Sequence, residues 1–371
     1  MIIYITGVSG FLGTELLREC LKHSSLEKVY CPIRHKYNHT GEERFTIICN
    51  ELAKENLDTN KLVFIKPEDS IPTDSNVVIF NAFSVSFSKT ICENIRENVY
   101  PIINKIKQLN NHKITNIILI STAYVQPPHP HKLYKDVFKN GHSNKEIIDL
   151  YQAIYDDKIT WKHIEKQTQN KHFVQNTYIY SKILSENLCK IYCEERNIAL
   201  TIIRPSQIIV STSGKGDMGP LAGVIRAFCN PLIRILISNN TFNVIPVNYV
   251  SEVIINNLNP MDNFKVVYAT CNETLTPIQV MRHINPSKSV LIFKRNSLLC
   301  RISRMLELWF YRILVVFNRL SLNKYLLICI FYRDYVYFQN NSWNFENKIT
   351  LSSIETLTLF KNYVISKKWV K

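Results

Sequence analysis

Tyr178 and Lys182 stand one helical turn apart in Tyr178-Ile179-Tyr180-Ser181-Lys182. At positions i and i+4 they share one face of a helix. An ammonium beside a phenol favours the phenolate, so a hydroxyl that ordinarily titrates near pKa ~10 can exchange a proton near neutrality. The spacing alone says little, because Tyr363 and Lys367 repeat it, and no role is assigned to that second pair. Tyr180 falls on a different face. What sets Tyr178 apart is an upstream run, Ile118-Leu119-Ile120-Ser121-Thr122-Ala123-Tyr124, which reads as a strand ending on two hydroxyls. Ser121 or Thr122 can hydrogen-bond a carbonyl oxygen while Tyr178 protonates that oxygen as hydride reaches the carbon. The expected catalytic set is Tyr178, Lys182, Ser121 and Thr122.

A hydride needs a carrier, and the first residues offer a place for one. Thr6-Gly7-Val8-Ser9-Gly10-Phe11-Leu12-Gly13 joins an apolar strand to an apolar helix. Such a loop presents backbone N–H groups and a helix N-terminus to a pyrophosphate, and side chains larger than Gly would block the approach. The chain has only 9 glycines, so three at this spacing carry more weight than usual. Thr6, Gly7, Ser9, Gly10, Phe11, Leu12 and Gly13 are the expected dinucleotide contacts. The second strand ends Cys31-Pro32-Ile33-Arg34-His35-Lys36. A carboxylate at this place would hold a ribose 2′-hydroxyl; Arg34 and Lys36 suit a 2′-phosphate instead, which predicts NADPH as cofactor.

These residues need a scaffold. Apolar runs at Ile2–Thr6, Lys28–Ile33, Leu62–Ile65, Val77–Asn81, Ile117–Ser121 and Leu200–Ile203 read as strands, and Leu12–His23, Ile91–Leu109 and Tyr178–Arg196 as helices. Continuous apolar strands alternating with helices predict an α/β fold, a Rossmann-type doubly wound parallel sheet covered on both faces. The polar stretch from Gln126 to Asn176 is expected to form helices and irregular structure over a site. A catalytic domain over 1–285 and a smaller, mainly helical C-terminal domain over 286–371 are expected. In the latter, Ile302, Leu306, Trp309, Ile313, Val316 and Leu320 recur at helical spacing, widened by Met305, Phe310 and Phe317. That width suits a core helix. Arg301, Arg304, Arg312 and Arg319 on its polar side suit peripheral, salt-sensitive contact with an anionic membrane. The longest uncharged run nearby, Tyr325–Tyr332, is far short of the roughly 20 residues of a spanning helix.

With 371 residues, 46% hydrophobic and 20% charged, the chain is globular and large enough for a sizeable core. Its formal charge of +15 favours an anionic partner. Polyphosphate ligands meet that need, compositional drift toward Lys is an equal explanation, and no zinc-finger spacing or RNA-module signature points to nucleic acid. Ten scattered cysteines form no C-x-x-C pair and no metal set, as in a reducing compartment. The first strand leaves no room for a preceding signal peptide, which predicts a cytoplasmic protein.

Together these elements resemble the extended short-chain dehydrogenase/reductases, and finer matches narrow the resemblance to the fatty acyl-CoA reductase family. Gly10-Phe11-Leu12-Gly13 is similar to that family's G-F-L-G, Ile33-Arg34-His35-Lys36 to its I-R-x-K, and Glu42-Glu43-Arg44-Phe45 to its E-E-R-L. Val77–Phe87, Ser121–Tyr124, Asn176–Lys182, Ile203-Arg204-Pro205-Ser206, Gly219-Pro220 and Ile245-Pro246-Val247 follow in the family's order. Trp343-Asn344-Phe345-Glu346-Asn347 is similar to the W-x-F-D-N of the family's C-terminal domain. There are departures. Asn81-Ala82-Phe83 replaces H-x-A-A beside the nicotinamide, Asn248 stands where Asp is usual, and the tryptophan-containing segment before Gly219 is not recognisable.

The resemblance implies further cofactor contacts at Asn81, Ala82 and Pro205, with Lys182 also holding the nicotinamide ribose. It implies an acyl-CoA substrate, reduced by NADPH first to an aldehyde and then to a primary alcohol. Three other readings stay open from the residues: a reductase that stops at the aldehyde, an enzyme of the same fold acting on a sterol or nucleotide sugar, and a catalytically idle scaffold. Chain length and oligomeric state are not encoded in these motifs.

Overall fold

The computed structural model describes residues 1–36, 38–85, 89–109, 113–126, 133–139, 141–168, 176–214, 216, 222, 225, 229, 235–236, 241–286, 291–292, 309, 345 and 352–368. They form two compact units. One comprises Met1–Pro127, Leu133–Thr212 and Ile245–Thr270; the other comprises Pro128–Lys132, Ser213–Val244 and Cys271–Lys371.

The first unit is built on strands β1 (Ile2–Ile5), β2 (Lys28–Pro32), β3 (Leu62–Ile65), β4 (Val77–Phe80), β5 (Asn116–Ile120) and β6 (Ala199–Pro205). The short strands β7 (Gln207–Ile209), β8 (Ile235–Leu236) and β9 (Val244–Pro246) follow, then β10 (Phe264–Ala269) and β11 (Leu291–Ile292). One seven-stranded sheet runs in the order β10-β6-β5-β4-β1-β2-β3. Every neighbouring pair in it is parallel, so the expected doubly wound sheet is the fold. β4, β5 and β6 are buried along their whole length, as strands covered on both faces must be. The strand order reverses between β1 and β4, and in such sheets ligands bind at the carboxyl ends beside that switch point.

Helix α1 (Phe11–Lys22) follows the glycine loop and packs on the helix Val247–Ile255. Helix α2 (Gly41–Ala53) starts on a capping box, Thr40 with Glu43. A Cβ on Gly41 would collide with the carbonyl oxygen of Ile33, so only glycine lets α2 begin against the end of β2. The long helix predicted over Ile91–Leu109 is interrupted: α3 (Ile91–Asn94) passes through a π turn, Ile95–Val99, into α4 (Tyr100–Lys107). Helices α5 (Asn144–Tyr155) and α6 (Trp161–Thr168) lie in the stretch expected to cover a site. Ile147, Tyr151, Ile154 and Ile164 instead join a core cluster with Leu184, Leu188 and Tyr192. That cluster explains why α7 (Thr177–Glu194) is buried nearly all round and shows no polar stripe.

In the second unit, β8 pairs with β11 in parallel, and the helices Pro277–Ile284 and Ser353–Ser366 pack on one another. Phe345, from the run Trp343-Asn344-Phe345-Glu346-Asn347, is buried. Except for Trp309, the amphipathic stretch over 298–332 and its arginines lie outside the described residues, as does Gly219-Pro220. Among the described residues, no helix is long and apolar enough to cross a membrane.

Candidate active site

The ends of β1 and β4 are tied together by one hydroxyl. Thr6 Oγ1 accepts from the amides of Asn81 (2.9 Å) and Ala82 (3.0 Å) and donates to the Ile79 carbonyl (3.4 Å). Thr6 is thus a strut of the site. Gly7 adopts φ +72°, and a Cβ there would sit 2.9 Å from the backbone of Ala82. A Cβ on Gly13 would strike the Gly7 carbonyl. Glycine is therefore required at both positions by the backbone itself, before any ligand is considered. Gly10 caps α1 without a side-chain hydrogen bond, and the first-turn N–H groups of Phe11, Leu12 and Gly13 have no intrahelical acceptor. A cradle of glycines under uncapped helical amides fits a pyrophosphate.

Arg34 and Lys36 are exposed at the end of β2. Between them and the glycine loop lies Arg44, which the sequence reading passed over as a contact. Its Nη1 donates to the Arg34 carbonyl (2.7 Å) and its Nη2 to Ser9 Oγ (2.6 Å). Burial and the nearby Arg34 guanidinium both depress the Arg44 pKa. Two cations crowded at the edge of a dinucleotide cradle suit an anion such as a 2′-phosphate. Changing Arg34 and Lys36 together to Ala is expected to weaken NADPH by roughly 10²–10⁴ while leaving NADH nearly unchanged, since each of the two charge-assisted hydrogen bonds contributes roughly 1.5–3 kcal/mol. Titration of both dinucleotides tests this; equal weakening would remove the assigned role.

On the other side of the switch point, Ser121 follows β5 and its N–H donates to the Ile203 carbonyl of β6 (2.7 Å). The residue is 4% exposed, and its Oγ has no hydrogen-bond partner among the described residues. A buried hydroxyl without a partner costs about 1–3 kcal/mol, so it marks a place where an acceptor is expected. Thr122 differs: its Oγ1 accepts from the Tyr124 amide and caps a short 3-10 turn. Pro205, at the end of the neighbouring β6, is buried.

Helix α7 brings the other two groups to this edge. Asn176 caps it, accepting from Ile179 N at 2.8 Å. Lys182 is 2% exposed, and its Nζ donates to the carbonyl of Ile120, the residue before Ser121 (2.8 Å). The same Nζ stands 5.8 Å from the centre of the half-buried Tyr178 ring and 2.9 Å from that of Phe83. Burial drives the Lys182 pKa well below its ordinary value, opposed by Glu186 one turn further on. Burial also holds the Tyr178 phenol above its ordinary value. The spacing with Lys182 predicts a lowered phenol; the shift is instead upward, through burial, and the phenol keeps its proton. Tyr180 packs against Trp161 in the core, ring centres 6.0 Å apart.

The π turn contributes residues that no motif pointed to. Asn98 Oδ1 accepts from Ser84 N (2.7 Å), and its Nδ2 donates to the Ser84 carbonyl (3.3 Å) and to Asn94 Oδ1 (3.2 Å). Asn94 Nδ2 donates to Thr177 Oγ1 (3.0 Å) at the start of α7. This chain of amides fixes the loop after β4 to the helix that carries Tyr178 and Lys182.

The chain is similar to known proteins. The sequence model of the family described as Male sterility protein matches residues 5–254. A putative fatty acyl-CoA reductase of Drosophila melanogaster is 24% identical over 279 residues, covering 67% of this chain and 50% of the relative. Fatty acyl-CoA reductase 1 of Rattus norvegicus is 29% identical over 255 residues, covering 62% of this chain and 46% of the relative. The chain thus spans about half the length of the curated relatives it matches. Among solved structures, the terminal R domain of the myxalamid PKS-NRPS pathway superposes with a TM-score of 0.66 at 16% identity, covering 100% of this chain and 92% of that one. That likeness supports the fold. With a family match over residues 5–254, the stretch that holds the glycine cradle and the Tyr178 helix, the chain belongs to the male sterility protein family of NAD-binding domains.

Proposed function

We propose that the chain is an NADPH-dependent reductase that takes long-chain fatty acyl-CoA to a primary alcohol and CoA by way of an aldehyde. The observation that carries the reading is the buried Ser121 hydroxyl, a donor without an acceptor among the described residues, on the strand end that Lys182 grips one helical turn from Tyr178. The acyl-CoA substrate follows from the family and its relatives. When bound in the glycine cradle, NADPH supplies hydride to the carbonyl carbon, once for the thioester and once for the aldehyde. As that carbon becomes tetrahedral, negative charge gathers on its oxygen. Ser121 donates to the oxygen, with Thr122 beside it, and a preorganised donor of this kind contributes roughly 10²–10³ in rate. Tyr178, whose phenol holds its proton, transfers that proton to the oxygen. In the thioester step the C–S bond then breaks with its electron pair going to sulfur, the oxygen returns its proton to the Tyr178 phenolate as the carbonyl re-forms, and CoA departs as its thiolate. Lys182 holds the nicotinamide ribose, and Arg34, Lys36 and Arg44 hold the 2′-phosphate.

Incubation of the purified chain with a series of acyl-CoAs and either dinucleotide, followed by mass spectrometry of the lipids, tests this. The primary alcohol is expected, with two equivalents of NADPH oxidised for each alcohol formed. Aldehyde as the sole lipid product refutes the alcohol-forming step, and no oxidation with any acyl-CoA refutes the substrate class.

A further inference from the structure

The amine of Lys182 has two close neighbours. One N–H direction goes to the Ile120 carbonyl (2.8 Å), and the ring of Phe83 covers another, its centre 2.9 Å from Nζ. The Tyr178 ring lies 5.8 Å away on the same helix face. Among the described residues the Ile120 carbonyl is the one hydrogen-bond acceptor of this group, and a desolvated ammonium gains from an aromatic face, because the ring's electron-rich surface substitutes for water. Phe83 is not there by accident of a floppy side chain. Its preceding neighbour, Ala82, is pinned through its amide to Thr6, and its following neighbour, Ser84, is held at both N–H and carbonyl by Asn98. The backbone on either side is therefore fixed by groups that also build the cofactor cradle. The ring is half-buried between exposed Ala82 and Val85 and packs at the edge of the core cluster, so a change of side-chain rotamer is what would take it off the amine.

We propose that Phe83 is a plug on Lys182: its ring holds the face of the amine that the hydroxyls of the cofactor ribose must take, so that tight dinucleotide binding requires the ring to swing away. The inference rests on the reading of Lys182 as the ribose-holding group. A protein whose binding-competent state is a minor population binds with an affinity reduced by that fraction. Removing the plug raises the fraction, and affinity rises with it. Phe83 is then a positioning residue that sets cofactor affinity through Lys182, with no contact to the reacting atoms.

NADPH titration by calorimetry on wild type, Phe83→Ala, Phe83→Leu, Lys182→Ala and Phe83→Ala/Lys182→Ala tests the plug. Phe83→Ala is expected to bind roughly three- to thirtyfold tighter than wild type. In the Lys182→Ala background the same change is expected to alter affinity by less than about twofold, because there is no amine left to uncover. Phe83→Leu keeps apolar bulk without the π face and decides the matter if the alanine variant does not fold; it too should bind tighter. Unchanged or weaker binding in a folded Phe83 variant overturns the plug, since a ring that stacks on the nicotinamide would be missed rather than welcomed gone. A gain that persists without Lys182 overturns it as well, by showing that the ring blocks space and not the amine. Binding of NADPH by wild type separates these failures from failure of the cofactor reading. If neither wild type nor any variant binds dinucleotide, that reading falls and the plug with it.

Discussion

Tyr178→Phe is expected to bind NADPH within about twofold of wild type and to lose roughly 10²–10⁴ in turnover, because only the transferable proton is removed. The ring stays, and with it the apolar contact at the start of α7. The phenol sits above its ordinary pKa through burial, so the proton lost is one the wild-type residue actually holds at neutral pH. Tyr180→Phe is the matched control. That side chain is in the core against Trp161, and losing its hydroxyl should leave turnover within a few-fold. Single-turnover reduction of an acyl-CoA, with dinucleotide affinity measured separately, distinguishes the two outcomes. Near-wild-type turnover in Tyr178→Phe would mean that another group supplies the proton. The assignment of Tyr178 would then be withdrawn, while the cradle, which depends on none of these side chains, would stand.

The parts of this site that were legible in sequence are those fixed by local rules. A strand buried on both faces has to be a continuous apolar run, and β1 to β6 were each placed to within a few residues on that ground alone. Gly7 and Gly13 were legible because a backbone approach at those positions excludes any Cβ. Tyr178 and Lys182 were legible because a helix of known period carries them. The rest depends on contacts distant in the chain. β10 is an edge strand whose first four residues are only half-buried and include Lys265, so it lacks the pattern that marks its neighbours. Arg44 reaches the site only because Gly41 lets α2 start against β2. The π turn at Ile95–Val99 has no local signature, yet it positions Asn98, the residue that holds the loop carrying Phe83. The direction of the Tyr178 shift also escaped sequence reasoning. A neighbouring ammonium can be inferred from spacing, whereas the burial that raises the phenol is set by packing that spacing does not reveal.

Glu186→Gln is expected to cost about 3–5 kcal/mol of stability, a large part of the roughly 5–15 kcal/mol typical of a folded domain. Arg204 and Glu186 are 1% and 0% exposed and pair in two places, Nε to Oε1 at 3.0 Å and Nη2 to Oε2 at 2.6 Å. The remaining donors of the guanidinium go to the carbonyls of Tyr134 (2.7 Å) and Asp136 (2.9 Å) and to the Tyr268 hydroxyl (2.8 Å). Tyr268 in turn donates to Gln126 Oε1 at 2.6 Å. One side chain of β6 thus ties together α7, β10 and the segment after the strand end that carries Ser121. In Glu186→Gln the amide oxygen can still accept from Arg204, but the guanidinium is left as an uncompensated buried charge. Arg204→Met should be worse, since it strands the carboxylate and also deprives three further acceptors of their donor, each at about 1–3 kcal/mol. The order of the two losses is therefore the informative result: urea unfolding should place Glu186→Gln below wild type and Arg204→Met lower still, at the edge of folding. A Glu186→Gln midpoint equivalent to less than about 1 kcal/mol of destabilisation would show that water reaches this pair. Glu186 also opposes the desolvation of Lys182 one turn away. If Glu186→Gln folds, its Lys182 should lose charge at a lower pH than in wild type, and dinucleotide affinity that depends on that charge should begin to fall at correspondingly lower pH.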